Sequence, residues 1–520
     1  MPVGETAMIS ESPLIELELK LLVPFGAVRR LLAHPLLKGA AGASRRRLHS
    51  VYFDTPQLDL WRQGIALRLR RDGERWFQAV KGGGTALAGL HRRVEDEVEV
   101  AGAALDLSLI VHNELARVFS SERLRARLKP VFITDFVRNS RLLEVDSGAR
   151  VEASLDRGMI KSGSRAERVV ELELELKSGA PRQLYEFALE LVRDLPLSVE
   201  NRSKAERGYA LYRSKRPKPV KAHRAALVPA LTVGGAFKVI MQAGLAHLQA
   251  NANGMLAGND LEYLHQMRVA LRRLRSAFSV FEPVMPGAAA PMLAEIKWLA
   301  SCLGPARDWD VFLTETLPPI RKEFGSHGEL KAYSERCGEL RRKAGAKARR
   351  AVRSARYQRL MLALAGWLES WSESVGLEPE QRAALAEPIG AFASRVLEQR
   401  YSRVRARSRK FDKLSSRELH RLRIAVKKFR YATDFFAGLY EGGLARVALQ
   451  RLSDLQDILG AINDAATVTD LMAHGFDGAG GMDVAEAKGI LLGWSRGRAE
   501  TLKRELKRAW KEFRSAEKFW

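Results

Sequence analysis

The chain has 520 residues, 46% of them hydrophobic and 28% charged, with a net charge of +25, a balance that suits two globular domains rather than a disordered or fibrous chain. Its only cysteines, Cys302 and Cys337, exclude a disulfide framework. No basic-then-apolar segment opens the chain, and the apolar run over residues 360–368 is too short to span a bilayer, so a soluble cytoplasmic protein without membrane association is expected.

The charge is uneven. Residues 1–215 carry 35 Lys and Arg against 29 Asp and Glu, which leaves 51 against 32 for residues 216–520 and makes the second part the one that attracts polyanions. Between them, Ser214-Lys215-Arg216-Pro217-Lys218-Pro219-Val220-Lys221 suits neither a helix nor a central strand. The expected organisation is a domain over 1–215, a Pro/Lys linker over 216–229 and a second domain over 230–520.

In chain order, the first predicted element is the strand Ile15-Glu16-Leu17-Glu18-Leu19-Lys20-Leu21, which alternates charge with aliphatic residue. Successive side chains of a strand point to opposite faces, so the charges share one face and the leucines the other. Leu67-Arg68-Leu69-Arg70, Trp76 to Lys81, and Arg93-Val94-Glu95-Asp96-Glu97 follow the same rule, as does Glu171-Leu172-Glu173-Leu174-Glu175. A row of glutamates repels itself unless cations sit between them. If these faces line a closed antiparallel barrel, its lumen carries carboxylates for a hard divalent cation and Arg or Lys for a polyanion. The competing reading is solvated strand faces with cross-strand ion pairs.

These residues resemble the CYTH, or triphosphate tunnel, family. The resemblance runs from Glu16-x-Glu18-x-Lys20 through Tyr52-Phe53-Asp54-Thr55, Arg68, Arg70, Lys81, Arg93, Glu95, Arg138, Asp156-Arg157-Gly158 and the Glu171 strand to Ser203-Lys204-Ala205-Glu206-Arg207-Gly208. It implies an eight-stranded tunnel with flanking helices that binds a triphosphate with Mg2+ or Mn2+. Lys20, Arg68, Arg70, Lys81, Arg138 and Lys204 would contact phosphate, Glu16, Glu18, Glu173 and Glu175 would hold metal, and Asp156 would orient basic groups. Lys20, Glu18 and Glu173 are the expected catalytic set. Which two of Glu171, Glu173 and Glu175 bind metal is left open.

The second part reads as all-α and contains a repeat. His265-Gln266-Met267-Arg268-Val269-Ala270-Leu271-Arg272-Arg273-Leu274-Arg275 aligns with His420-Arg421-Leu422-Arg423-Ile424-Ala425-Val426-Lys427-Lys428-Phe429-Arg430, and Leu303-Gly304-Pro305-Ala306-Arg307-Asp308 aligns with Leu459-Gly460-Ala461-Ile462-Asn463-Asp464. Two copies predict two helical bundles about a pseudo-twofold axis. In each, the histidine and the basic residues three, seven and ten positions later share a helical face about 15 Å long. Four like-signed groups in a stripe destabilise a helix unless they meet an anion, the alternative being a solvated face. Metal binding suits these histidines poorly because Arg and Lys surround them.

These segments resemble the CHAD, or conserved histidine α-helical, family over about residues 230–515. That resemblance implies a pair of pseudo-symmetric four-helix bundles whose basic surface binds inorganic polyphosphate through His265, Arg268, Arg272, Arg273, Arg275, His420, Arg423, Lys427, Lys428 and Arg430. Asp308 and Asp464 would cap helices or orient basic side chains. The basic runs Ser44 to Arg47, Arg341 to Lys343 and Arg403 to Lys410 read as solvated faces. Aromatic patterns for base stacking, zinc spacings and Walker loops are missing, so no specific nucleic-acid partner is expected. The expected whole is a multidomain inorganic triphosphatase acting on tripolyphosphate, joined to a module that binds long-chain polyphosphate and places it at polyphosphate granules. The alternatives are an adenylate cyclase, a nucleoside or thiamine triphosphatase, a non-catalytic polyphosphate scaffold and a generic nucleic-acid binder.

Overall fold

The computed structural model describes residues 15–520 except 39–40, 146–147, 215–216, 259, 286, 288–289, 325–327, 372–376, 410 and 477–484; at 41–42, 113, 412, 464–476 and 485 it describes the backbone alone. Two compact units are present, one of residues up to 218 with 358–369, the other of 219–357 and 370–520.

The first unit is built on strands β1 (Ile15–Leu22), β2 (Ala41–Asp54), β3 (Ala66–Asp72), β4 (Arg75–Leu87), β5 (Leu90–Val100), β6 (Lys129–Glu144), β7 (Arg150–Ser162) and β8 (Arg165–Ser178). They pair antiparallel in the order β5-β4-β3-β2-β6-β7-β8-β1, and β1 closes back on β5. The result is an eight-stranded barrel. A two-residue strand β9 (Ser198–Val199) adds to β1 at Leu21 and Leu22.

Polar groups face inward and apolar ones outward, the reverse of an ordinary core. Leu19, Leu21, Leu172 and Leu174 are buried on the outside of the barrel, where helix α1 (Pro181–Asp194) covers β1 and β8 with Leu184, Tyr185, Phe187, Ala188 and Leu191. Each leucine so covered contributes about 1.5–3 kcal/mol. Helix α2 (Lys204–Arg213) lies against β6, β7 and β8. Gly208 permits that approach, since a Cβ there would stand 2.2 Å from the Phe132 ring. Tyr52, Phe132 and Tyr209 pack beneath it, with the first two rings stacked at 4.4 Å.

Among the described residues, the eight longest helices of the second unit form two runs of four, with shorter helices at Leu317–Phe324 and Pro379–Ala386 between them. The first is α3 (Val233–Ala257), α4 (Leu261–Phe281), α5 (Ala290–Val311) and α6 (Gly328–Arg353); the second is α7 (Ile389–Arg407), α8 (Ser416–Phe436), α9 (Leu444–Phe476) and α10 (Ala485–Arg514). Successive helices of each run pack on one another, and α4 also packs on α8. The repeat has a structural counterpart. Both α4 and α8 are 21 residues long with a side-chain N-cap, Asp260 and Ser415, and His265 and His420 are each the fifth residue of their helix. With the cap fixed, helical geometry points each basic stripe the same way relative to its own helix.

Candidate functional site

The barrel encloses a cavity of about 390 Å3. Its lining includes Glu16, Glu18 and Lys20 of β1, Arg68 and Arg70 of β3, Lys81 of β4, Glu95 and Glu97 of β5, Arg138 of β6, Asp156 of β7, Glu173 and Glu175 of β8, and Lys204 of α2. Every residue expected to touch phosphate or metal in the tunnel therefore faces one lumen. Strand parity accounts for the first twelve, and for Lys204 the cause is the N-terminus of α2, fixed by a capping box in which Ser203 and Glu206 satisfy each other's backbone N–H.

Two ion-pair networks occupy the lumen. In one, Lys20 pairs with Glu18 at 2.7 Å and with Glu173, and Lys204 reaches Glu171 and Glu173 at 2.6 Å and Asp156 at 2.8 Å. Arg138 makes a two-pronged contact with Asp156, both arms at 2.7 Å, and also touches Glu173. In the other, Lys81 joins Glu16 at 2.6 Å to Glu95 at 2.8 Å, Arg68 bridges Glu95 and Glu97 at 3.1 and 2.9 Å, and Arg70 holds Glu97 at 2.6 Å. Arg68 Nε and Arg70 Nε remain buried without a partner among the described residues.

These contacts set the protonation states. Burial would raise the Glu173 carboxyl, but Lys20, Lys204 and Arg138 hold it well below the usual carboxylate range. Burial would lower Lys20, yet Glu173 and Glu18 keep it above its ordinary value. Glu171 is pushed up by burial despite Lys204 beside it. Glu175 is also pushed up, by burial first and then by repulsion from Glu16 and Glu152.

Mg2+ and Mn2+ take oxygen ligands, and the lumen offers them unequally. Glu18 and Glu175 are direct partners across β1 and β8, and like charges placed opposite one another repel. Glu16 also acts on Glu175 through its charge, so Glu16, Glu18 and Glu175 are oxygen donors of the kind a hard divalent ion takes, each engaged by a lysine, Lys81, Lys20 and Lys177. Glu173 instead is engaged by three cations. Among the described residues no three candidate ligands already converge on one point, so for these three to hold a metal Glu16, Glu18 and Glu175 would have to leave Lys81, Lys20 and Lys177.

A second cavity, of about 500 Å3, lies within the helical unit. It brings together His265, Arg268 and Arg272 of α4 with Arg423 and Lys427 of α8. His265 Nδ1, Arg268 Nε and Arg423 Nε are buried without partners among the described residues. Gly304 gives Arg268 its room, because a Cβ there would lie 2.9 Å from Nη1. Asp308 stands 3.5 Å from Arg268, whereas the side chain of Asp464 is outside the described residues. His420 Nδ1 lies 2.7 Å from Asn463 Oδ1, so the histidine segment and the Leu459–Asp464 segment of the second copy meet in the fold.

Residues 14–209 match the family model of the CYTH domain and residues 239–473 that of the CHAD domain. The chain is a CYTH–CHAD protein. It is similar to an inorganic triphosphatase of Haemophilus influenzae, 30% identical over 165 residues, which are 32% of this chain and 46% of that protein, so the match spans about half the length of that relative. The crystal structure of the CHAD domain from the plant Ricinus communis is 30% identical, with 58% of this chain and 98% of that one covered and a TM-score of 0.51. PptA from Streptomyces chartreusis is similar at 16% identity, with 54% of this chain and 99% of that one covered and a TM-score of 0.42.

Not every basic residue of the CHAD repeat enters its pocket. Arg273 turns to Asp434 and the Phe435 ring, and Lys428 faces another groove. Arg430 donates through Nε to Gln456 at 2.8 Å, at the rim, and Arg275 acts on Lys427 through its charge. Arg307 and Arg498 line the pocket without having been singled out as ligands, and so does a π-helical turn, Phe312–Thr316, through Glu315 and Thr316. Arg307 stood beside Asp308 in the repeat and was legible there; Arg498, on α10, had no sequence signal.

Burial, then Arg272, Arg423, Arg275 and Arg268, push Lys427 down to about 8. Burial and Arg307 also lower His265 below its ordinary value. An anion in the pocket favours the charged lysine, so the bound form keeps a proton that the free form loses above about pH 8. Anion affinity is therefore expected to fall as pH rises from 7 to 9, and Lys427→Arg to flatten that slope. Calorimetric titrations at the two pH values check this, and an unchanged slope in the variant would remove Lys427 as its source.

Proposed function

We propose that the CYTH tunnel hydrolyses inorganic tripolyphosphate to diphosphate and phosphate with Mg2+ or Mn2+, and that the CHAD pocket binds long-chain polyphosphate, at cytoplasmic granules where such chains accumulate. The observation that carries the reading is the paired lumen. Six cations are held there by carboxylates within 3.1 Å, an arrangement that phosphate oxygens can take over without reorganising the barrel. The named activity of the Haemophilus influenzae relative supports the same chemistry.

Lys20, Arg138 and Lys204 would grip one end of the triphosphate and Arg68, Arg70 and Lys81 the other. Each must exchange a carboxylate for a phosphate oxygen. Glu16, Glu18 and Glu175 would hold the divalent ion, which neutralises phosphate charge and orients the attacking water when bound. Because the same move takes one of two carboxylate partners from each of Lys20 and Lys81, metal and triphosphate should each strengthen the other's binding. The reaction needs no covalent intermediate on the protein; water attacks the terminal phosphorus and diphosphate leaves, with the barrel supplying position and charge.

EDTA is expected to abolish phosphate release while the circular-dichroism melt stays near its starting temperature, and added Mg2+ or Mn2+ to restore the rate. Full turnover in EDTA would overturn the metal-dependent reading. The same assay run on tripolyphosphate, ATP and thiamine triphosphate decides the substrate, and a preference for ATP would favour a nucleoside triphosphatase.

A further inference from the structure

We propose a second anion groove on the helical unit, between α7 and α8, that takes the stretch of a long inorganic polyphosphate chain left outside the central pocket; it rests on the polyphosphate reading of that pocket. The groove is lined by Arg400, Arg403 and Arg407 of α7 and Arg421, Ile424 and Lys428 of α8. At about 790 Å3 it is more spacious than the central pocket, and among the described residues no acidic side chain lines it. It absorbs part of the basic run from Arg403 that the sequence alone left as a solvated face.

The arrangement is built rather than incidental. Arg400 is buried, its Nη2 donating to the Ser279 carbonyl at 2.6 Å and to Ser279 Oγ at 3.2 Å, while Nε is left buried with no partner among the described residues. Arg400, Arg403 and Arg407 follow the i, i+3, i+7 spacing of one helical face, and Arg421 and Lys428 stand two turns apart on the facing helix. Each row is about 10 Å long at the α-helical rise. Burial and then Arg400 and Arg403 lower the Lys428 ammonium, as expected for cations crowded together without counter-ions. Ile424 gives the floor an apolar wall, which concentrates the field above it.

The occupant follows from shape and chemistry. Neighbouring helices pack about 8–10 Å apart, too close to admit a nucleic-acid duplex between them. Among the described residues no aromatic ring lines the groove, so a single strand would find nothing there on which to stack its bases. An unbranched chain of phosphates needs neither. Arg423 and Lys427 face the central pocket while Arg421 and Lys428 face the groove, so one helix presents two basic faces about 130° apart. A chain already held in the pocket reaches the groove at high effective concentration.

The test uses the full-length protein with Arg403→Glu plus Arg421→Glu, both exposed, and with Arg268→Ala plus Arg423→Ala in the pocket. Calorimetry measures binding of a chain of about a hundred phosphates and of tripolyphosphate, and the outer variant should weaken the long chain roughly tenfold or more while leaving tripolyphosphate binding alone. An unchanged helical circular-dichroism signal and melting temperature confirm that the outer variant is folded. Equal long-chain affinity in wild type and outer variant overturns the groove, and so does a loss confined to single-stranded oligothymidylate, which would reassign it to nucleic acid. If the pocket variant binds the long chain normally while the outer variant does not, the groove stands and the pocket reading fails.

Discussion

Glu173→Gln is expected to cost the CYTH domain about 3–5 kcal/mol of stability at neutral pH, the usual penalty for removing one partner from buried ion pairs. Glu173 neutralises Lys20, Lys204 and Arg138 together, and the substitution keeps the shape while removing the charge. Tripolyphosphate turnover should fall at least about a hundredfold, because three phosphate-binding side chains lose their common anchor. The pH dependence has a definite sign. A carboxylate depressed in the folded state contributes stability that is complete above the ordinary carboxylate range, near 4, and is lost as pH falls through the folded value. Wild type and variant should therefore differ most at neutral pH and converge in strong acid. Urea titrations at pH 7 and pH 3 measure the difference; equal stability at pH 7 would show that the three cations do not depend on Glu173.

Arg268→Ala combined with Arg423→Ala should weaken long-chain polyphosphate binding about a hundredfold or more, since each charge-assisted contact is worth about 1.5–3 kcal/mol. The two arginines come from the two halves of the repeat and line one pocket, each with a buried Nε awaiting an acceptor. The wild-type affinity should drop steeply with added salt, and the double variant should show a shallower slope. Titration calorimetry from low to high salt reads both quantities. An affinity that survives the double substitution would show that the chain binds elsewhere on the surface.

The lumen was legible because a strand has a period of two. Once Glu16, Glu18 and Lys20 share a face, closure of the sheet dictates that they meet Arg68, Lys81, Arg138 and Glu173. Partner choice was not legible. That Glu173 would serve three cations while Glu175 would sit opposite Glu18 depends on the stagger between β1 and β8, which no local pattern encodes. Tyr52-Phe53-Asp54-Thr55 carries the family resemblance, and in the fold Asp54 holds the local chain together, its buried carboxylate accepting the backbone N–H groups of Thr55, Leu60 and Trp61 at 2.7–3.0 Å. In the helical half, periodicity put His265, Arg268, Arg272 and Arg275 on one face, and the first three line the pocket, but Arg273 and Lys428, one position further on than Arg272 and Lys427, turn about 100° away and go to other neighbours.

The inverted barrel also limits how this chain can change over generations. An insertion of one residue between Glu16 and Lys20 would send the charges beyond it to the leucine side, beneath α1, and the displaced leucines into the lumen. The penalty falls on stability and chemistry together. One residue inserted between Ser415 and His420 would likewise swing the stripe on α8 by about 100°, away from its counterpart on α4. Length variation among descendants of this sequence should therefore collect in the connections between elements, while β1, β8, α4 and α8 keep their spacing even where individual side chains drift.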